Sequence, residues 1–139
     1  MLVTIRIHSS EQWIGGVCLT GGEPTLRVDL SVLVSEFKQK GFLVKFVTNG
    51  ANSPMLEQRI HAKGADFVSM EVKAPLDSFR YQRAAGLPVD LNLDRKSIEL
   101  LKREKVEDSF RRTVVPRLHR EEDVKRPGGQ WRAGSTFIL

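Results

Sequence analysis

The segment with the most chemical potential is Thr20-Gly21-Gly22-Glu23-Pro24-Thr25. Two adjacent glycines remove side-chain bulk, so backbone carbonyls and amides there can touch a ligand directly. Pro24 fixes its own φ and holds Glu23 extended, which limits the directions its carboxylate can take. A carboxylate beside bare carbonyls makes an acceptor-rich nook suited to a ligand ammonium group. It is a poor phosphate cradle, because no lysine follows the glycines as in a P-loop. The other chemically capable residues are dispersed. His8, His61 and His119 lie far apart without ligand spacing, which favours structural or surface roles. Cys18 is the single cysteine, so no internal disulfide and no all-cysteine metal site can form from one copy. Its place in an apolar run predicts a small buried residue, and Trp13 and Trp131 read as packing residues.

Four apolar runs of strand length, with helical patterns between them, must position that nook. The first is Gly16-Val17-Cys18-Leu19-Thr20, leading into the double glycine. Leu30, Leu33, Val34 and Phe37 then recur at helical spacing, with Gly41 as terminator. Leu43 to Thr48 is the second strand, ending at Asn49-Gly50, a pair that also suits a plain turn. Ser53-Pro54 predicts a helix start with Ser53 as N-cap, running from Met55 to Lys63 before Gly64. The third strand is Phe67 to Val72, closed by Lys73-Ala74-Pro75. A longer connection through Tyr81 and Gly86 leads to a helix from about Asp94 to Lys105. There Ile98, Leu100 and Leu101 face inward, and Glu99 and Arg103 pair at i, i+4. Phe110 to Val115 is the fourth strand, and a short charged helical piece spans Glu121 to Lys125. Strand and helix in alternation predict an α/β chain of βαβ units on a parallel sheet.

Charge falls unevenly along the chain. Met1 to Asp94 carries 10 basic and 10 acidic side chains, whereas Arg95 to Leu139 carries 12 basic and 7 acidic, which holds the whole net charge of +5. Basic and acidic residues alternate in that half and no aromatics interleave, which predicts solvated faces rather than a base-stacking nucleic-acid platform. No stretch approaches the roughly 20 apolar residues of a membrane span, and the opening residues are too short and mixed for a signal peptide. A single cysteine fits a cytoplasmic protein. Val3, Ile5 and Ile7 alternate like a strand with no evident partner before it, and the chain stops inside the apolar Thr136-Phe137-Ile138-Leu139. Both ends suggest a fragment of a longer domain, with an apolar sheet edge left open where a first strand belongs.

Gly21-Gly22-Glu23-Pro24 after an apolar strand resembles the GGEP motif of radical S-adenosylmethionine (radical-SAM) enzymes. The ordered set that follows carries the likeness further: Lys45 to Gly50, then Met70-Glu71-Val72-Lys73-Ala74-Pro75, then Phe110-Arg111-Arg112-Thr113-Val114-Val115-Pro116. Over about Gln12 to Asp123 the chain is similar to the activating proteins of glycyl-radical enzymes, above all those of anaerobic ribonucleoside-triphosphate reductases.

That resemblance implies a (β/α) partial barrel, incomplete here with about four to six strands, formed by residues 1–139 as a single domain. It implies that Gly21, Gly22 and Glu23 bind the ammonium of S-adenosylmethionine and that Thr48 and Asn49 lie near the cofactor. Glu71 and Lys73 match the family's Asp-x-Lys pair, on one side of a strand; glutamate adds a methylene to the usual aspartate. Arg111 matches an arginine that frames the site. An ordinary Glu23–Lys73 ion pair at a loop rim is the structural alternative. The family uses a [4Fe–4S] cluster on three cysteines ahead of the GGEP strand, and this chain has one. The implied function is therefore a piece of an activase that would cleave S-adenosylmethionine and generate a glycyl radical on the reductase, fed by a flavodoxin or ferredoxin. Alternatives are a non-catalytic module that binds cofactor or reductase, or another radical-SAM enzyme, such as a nucleoside-modifying one.

Overall fold

A computed structural model describes residues 3–10, 13–121 and 136–138. Six strands form one sheet in chain order: β1 (Val3–Ser10), β2 (Trp13–Gly21), β3 (Leu43–Thr48), β4 (Phe67–Glu71), β5 (Glu107–Arg111) and β6 (Thr136–Ile138). From β2 to β6 every neighbouring pair is parallel. The described helices are α1 (Leu30–Gln39), α2 (Ser53–His61), α3 (Ser78–Ala85) and α4 (Leu91–Arg103). A parallel sheet that adds strands in chain order, each crossover right-handed, gathers its helices on one face. This is an open α/β sheet of partial-barrel type.

Period-two alternation divides the two faces of the sheet. Val44, Phe46 and Thr48 of β3 are buried, while Lys45 and Val47 between them are half-buried. Val17, Leu19, Val44, Phe46, Val68, Met70 and Phe110 join Leu30, Val34, Leu56, Ile60, Ile98 and Leu101 of the helices in one core. On the opposite face the register sets Cys18 beside Lys45, Lys45 beside Phe67, and Glu71 beside Arg111. Lys45 Nζ stands 4.7 Å over the Phe67 ring, a charge held on an aromatic face rather than in the core. Cys18 lies on this more open face and is half-buried, not fully buried as its apolar run suggests.

Several expected boundaries move, each for a local reason. The edge of β2 is not open: β1 pairs with it antiparallel, Ile5 opposite Leu19 and Val3 opposite Gly21. The strand β5 ends at Arg111 instead of continuing through Val115. Its partner β4 ends at Glu71, the last ladder bond being Val72 N–H to the Arg111 carbonyl at 2.8 Å. Beyond that point Val114 and Val115 are exposed. The N-cap of α2 is Asn52, one residue before the expected Ser53: its side chain accepts from Met55 N–H at 3.4 Å and donates to the Thr25 carbonyl at 2.7 Å. The connection through Tyr81 contains α3, capped by Asp77, which accepts from Arg80 N–H at 3.1 Å. Among its described side chains Tyr81 is fully buried, and Ala84 and Ala85 pack partly buried beside it, a stripe of only three residues. Arg103 bonds Glu57 of α2 and the neighbouring Glu104 rather than Glu99. The helical piece from Glu121 to Lys125 lies, beyond Glu121, outside the described residues.

Candidate functional site

The parallel order places the carboxyl ends of β2, β3 and β4 side by side, where ligands of parallel α/β folds bind. Gly21 closes β2 at φ 109°, a conformation that side chains disfavour, and turns the chain toward Gly22, which is exposed. Glu23 follows, buried at 5% exposure. Its Oε1 accepts the Thr25 hydroxyl at 2.6 Å, the Thr25 amide at 3.1 Å and the Thr48 hydroxyl at 2.7 Å. Its Oε2 accepts the Asn49 amide at 2.7 Å. A carboxylate offers about four lone-pair positions, so most of this one is spent tying the GGEP turn to the end of β3. Oε2 carries only the Asn49 amide, which leaves acceptor capacity on that oxygen.

Thr48 is likewise occupied: besides donating to Glu23 it accepts from Gly50 N–H at 3.1 Å. Asn49 is half-buried, and its Oδ1 accepts from Ala51 N–H at 2.9 Å, an Asx turn. The Asn-Gly pair is thus a turn and also a support for the carboxylate. Lys73 pairs with Glu71, Nζ to Oε1 2.9 Å, both partly exposed. No Glu23–Lys73 pair forms, because Glu23 is turned to β3. Arg111 is exposed beside Glu71 in the register, whereas Arg112 is buried at 3% and donates through Nε to the Val72 carbonyl at 3.2 Å. The nook and Thr48-Asn49 are therefore joined directly, and Glu71, Lys73 and Arg111 form a second group at the adjoining strand ends.

A cavity of about 220 Å³ adjoins these tips, lined by Asn49 and Lys73 together with Tyr81, Leu87, Val89 and Asp94. Tyr81 and Asp94 are functional candidates that motif reading passed over. Tyr81 donates to Asp94 Oδ1 at 2.7 Å, both being nearly inaccessible. Asp94 Oδ2 is buried without a hydrogen-bond partner. Burial raises the Asp94 carboxyl above the usual aspartate range, opposed by the Tyr81 hydrogen bond and reinforced by the charge of Asp90. Burial, then the Asp94 charge, push the Tyr81 phenol well above its ordinary value. A signal existed in the sequence: Leu91, Asp94, Ile98 and Leu101 share helical spacing, so Asp94 interrupts an apolar stripe. A larger groove of about 790 Å³ is walled by α2 and α4 alone and holds none of the expected site residues.

The class defined by this fold and these strand tips is the radical-SAM partial barrel, and comparison with known proteins agrees. The chain is 34% identical over 113 residues to a Methanocaldococcus jannaschii protein provisionally named a glycyl-radical enzyme activating enzyme. The match covers 78% of this chain and 47% of that protein. The fold resembles a structure of TYW1 with a lysine–pyruvate adduct bound, at TM-score 0.58 and 22% identity, over 76% of this chain and 34% of that one. No family model matches. The chain is thus a relative of the radical-SAM superfamily, and it spans about half the length of the curated relative it matches.

The donor set decides which family cofactors these residues fit. A [4Fe–4S] cluster does not fit: three thiolates are needed and Cys18 stands alone. Among the described residues no group of three His, Cys, Asp or Glu side chains could hold a metal ion. The strand-tip side chains suit the methionine end of S-adenosylmethionine in kind, with a carboxylate on Glu23 and an ammonium on Lys73. Among the described residues no helix is long and apolar enough to cross a membrane.

Proposed function

We propose that this chain carries the S-adenosylmethionine-binding face of a radical-SAM activating enzyme whose partner is a glycyl-radical enzyme, an anaerobic ribonucleotide reductase in the most specific form. The observation that carries the reading is the Glu23 carboxylate, which holds the GGEP turn against Thr48-Asn49 and leaves acceptors at the adjoining tips. Gly21, Gly22 and Glu23 would take the cofactor's ammonium, Lys73 its carboxylate, and Glu71 a hydroxyl or peptide donor. Asn49 and Arg111 would border the site. The cofactor supplies the radical chemistry, and the protein orients it. Electrons for it would come from a flavodoxin or ferredoxin in the cytoplasm. Likeness to a protein named for glycyl-radical enzyme activation supports the partner class.

A second reading, a module that binds cofactor or reductase without catalysis, is favoured by the lone Cys18. Anaerobic reconstitution with iron and sulfide separates cluster chemistry from binding alone. This chain is expected to bind S-adenosylmethionine in a calorimetric titration yet give no [4Fe–4S] spectrum. Absence of S-adenosylmethionine binding would remove the first reading and leave only a reductase-binding module, and an authentic cluster spectrum would contradict the account of the cysteines.

A further inference from the structure

We propose that the groove between α2 and α4 binds a small phosphomonoester with a hydroxyl-rich body, its phosphate held by the Ser53 hydroxyl and the Lys96 ammonium. The site lies in the helical layer and does not depend on the activase reading. Its starting point is a change of roles at the head of α2. Asn52 takes the capping task, accepting from Met55 N–H at 3.4 Å on its side chain and from Leu56 N–H at 3.1 Å on its carbonyl. Ser53, the next residue, is thereby released from capping. It is 7% exposed and lines the groove. Its hydroxyl has no hydrogen-bond partner among the described residues, yet the oxygen is not sealed from the surface. A hydroxyl so confined, and still reachable from the groove, is positioned to donate to a ligand.

Two ties fix the helices side by side: the Ser97 hydroxyl donates to the Gly50 carbonyl at 2.7 Å, and Arg103 donates to Glu57 at 3.0 Å. Lys96 adjoins the first tie, at the end where α2 begins. There the Ser53 hydroxyl, the Asn92 side-chain amide and the Lys96 ammonium border one space, at the positive pole of α2. Donors from two helices suit an anion with oxygens on several sides, as phosphate has. The other charges of the groove define the rest of the ligand. Arg103 and Glu57 neutralise each other, and Arg95 donates to the Leu76 carbonyl at 3.0 Å. Glu99 stands one turn beyond Lys96, so a second anionic group is repelled there while hydroxyls find acceptors. Asp90 caps α4 by accepting from Asn92 N–H at 3.0 Å and opposes an anion, which makes the Lys96 charge necessary. Pro54, Leu93 and Leu100 supply apolar wall for the body. The volume, about 790 Å³, lies within the roughly 300–1,000 Å³ of sites that take a whole small molecule.

The test is an amide-resolved NMR titration of this chain with ribose 5-phosphate, with ribose and with inorganic phosphate. Ribose 5-phosphate should shift the amides of Ser53, Leu93, Lys96 and Leu100. Inorganic phosphate should move Ser53 and Lys96 with lower affinity, and ribose should move none of them. Ser53→Ala should lose about tenfold in affinity for ribose 5-phosphate, the size of a hydrogen bond to a charged group. Lys96→Gln should lose about fivefold. Lys102→Gln removes the same charge from α4 at a residue that lines a separate cavity, and it should bind as the native chain does. The proposal is overturned by an unmoved groove in ribose 5-phosphate, by equal binding of ribose, or by undiminished binding in a folded Ser53→Ala. Equal losses in Lys96→Gln and Lys102→Gln would also overturn it, since they would mean attraction to the helix's overall charge. If Ser53→Ala does not fold, the two lysine variants decide the matter.

Discussion

The Thr48 hydroxyl at the end of β3 donates to the Glu23 carboxylate at 2.7 Å, across 25 residues of chain. That bond, with the Asn49 amide on the second oxygen, makes the GGEP turn and the β3 tip one unit. The motif's glutamate therefore has a structural task that its sequence neighbours alone do not reveal.

Replacing Glu23 by Gln tests that task. One oxygen becomes an NH2 group, which cannot accept from the Asn49 amide or the hydroxyls. Hydrogen bonds to a charged group contribute about 1.5–3 kcal/mol each. Glu23→Gln should lose about 2–3 kcal/mol in urea unfolding, because at least one buried donor is orphaned. An unchanged midpoint would mean that the carboxylate does not join the two tips.

Gly50 links the same tip to α4. Its φ is 78°, its carbonyl accepts the Ser97 hydroxyl at 2.7 Å, and an added Cβ would come within 2.1 Å of Met70 Cε. Gly50→Ala should cost about 1–3 kcal/mol, from the left-handed backbone and from displacing a buried methionine. Denaturant unfolding measures it; a neutral outcome would show that Met70 yields freely and the turn relaxes.

Asp94 predicts a pH dependence with a definite sign. Its folded-state pKa is raised, chiefly by burial, so between the ordinary aspartate pKa and that higher value the native state binds more protons than the unfolded state. Stability must fall as pH rises through that window and level off above it. Thermal melts of the native chain and of Asp94→Asn, compared across mildly acidic pH, should differ by this component, which the amide lacks. Parallel profiles would contradict the assignment.

Lys73 should matter for binding more than for folding. Its pair with Glu71 is partly exposed, and such pairs contribute about 0–1 kcal/mol. Lys73→Met should thus melt close to the native chain while S-adenosylmethionine affinity falls about tenfold, or about 1.4 kcal/mol. Undiminished affinity would move the cofactor carboxylate elsewhere.

Much of this arrangement is legible in the residues. The apolar runs before Gly21 and Asn49 and around Met70 are parallel strands because each is short, apolar and followed by a helical period, a pattern with few packing solutions. The GGEP motif also marks where the tips converge. Three things are not legible. The end of β5 depends on where β4 stops, so the β-branched Thr113-Val114-Val115 misleads. In α3 the stripe is only Tyr81, Ala84 and Ala85, two of them small and partly buried, too short to place against the exposed Phe79. The direction of the Glu23 carboxylate is decided by hydroxyls and amides distant in sequence, so the nook that looks open to a ligand is mostly filled from within.

The most direct measurement of the central claim is an NMR titration of this chain with S-adenosylmethionine, followed amide by amide. The account predicts the largest shifts at Gly22, Glu23, Asn49 and Lys73, the three neighbouring tips responding together with one affinity. Shifts confined to the groove between α2 and α4, or none at saturating cofactor, would contradict it.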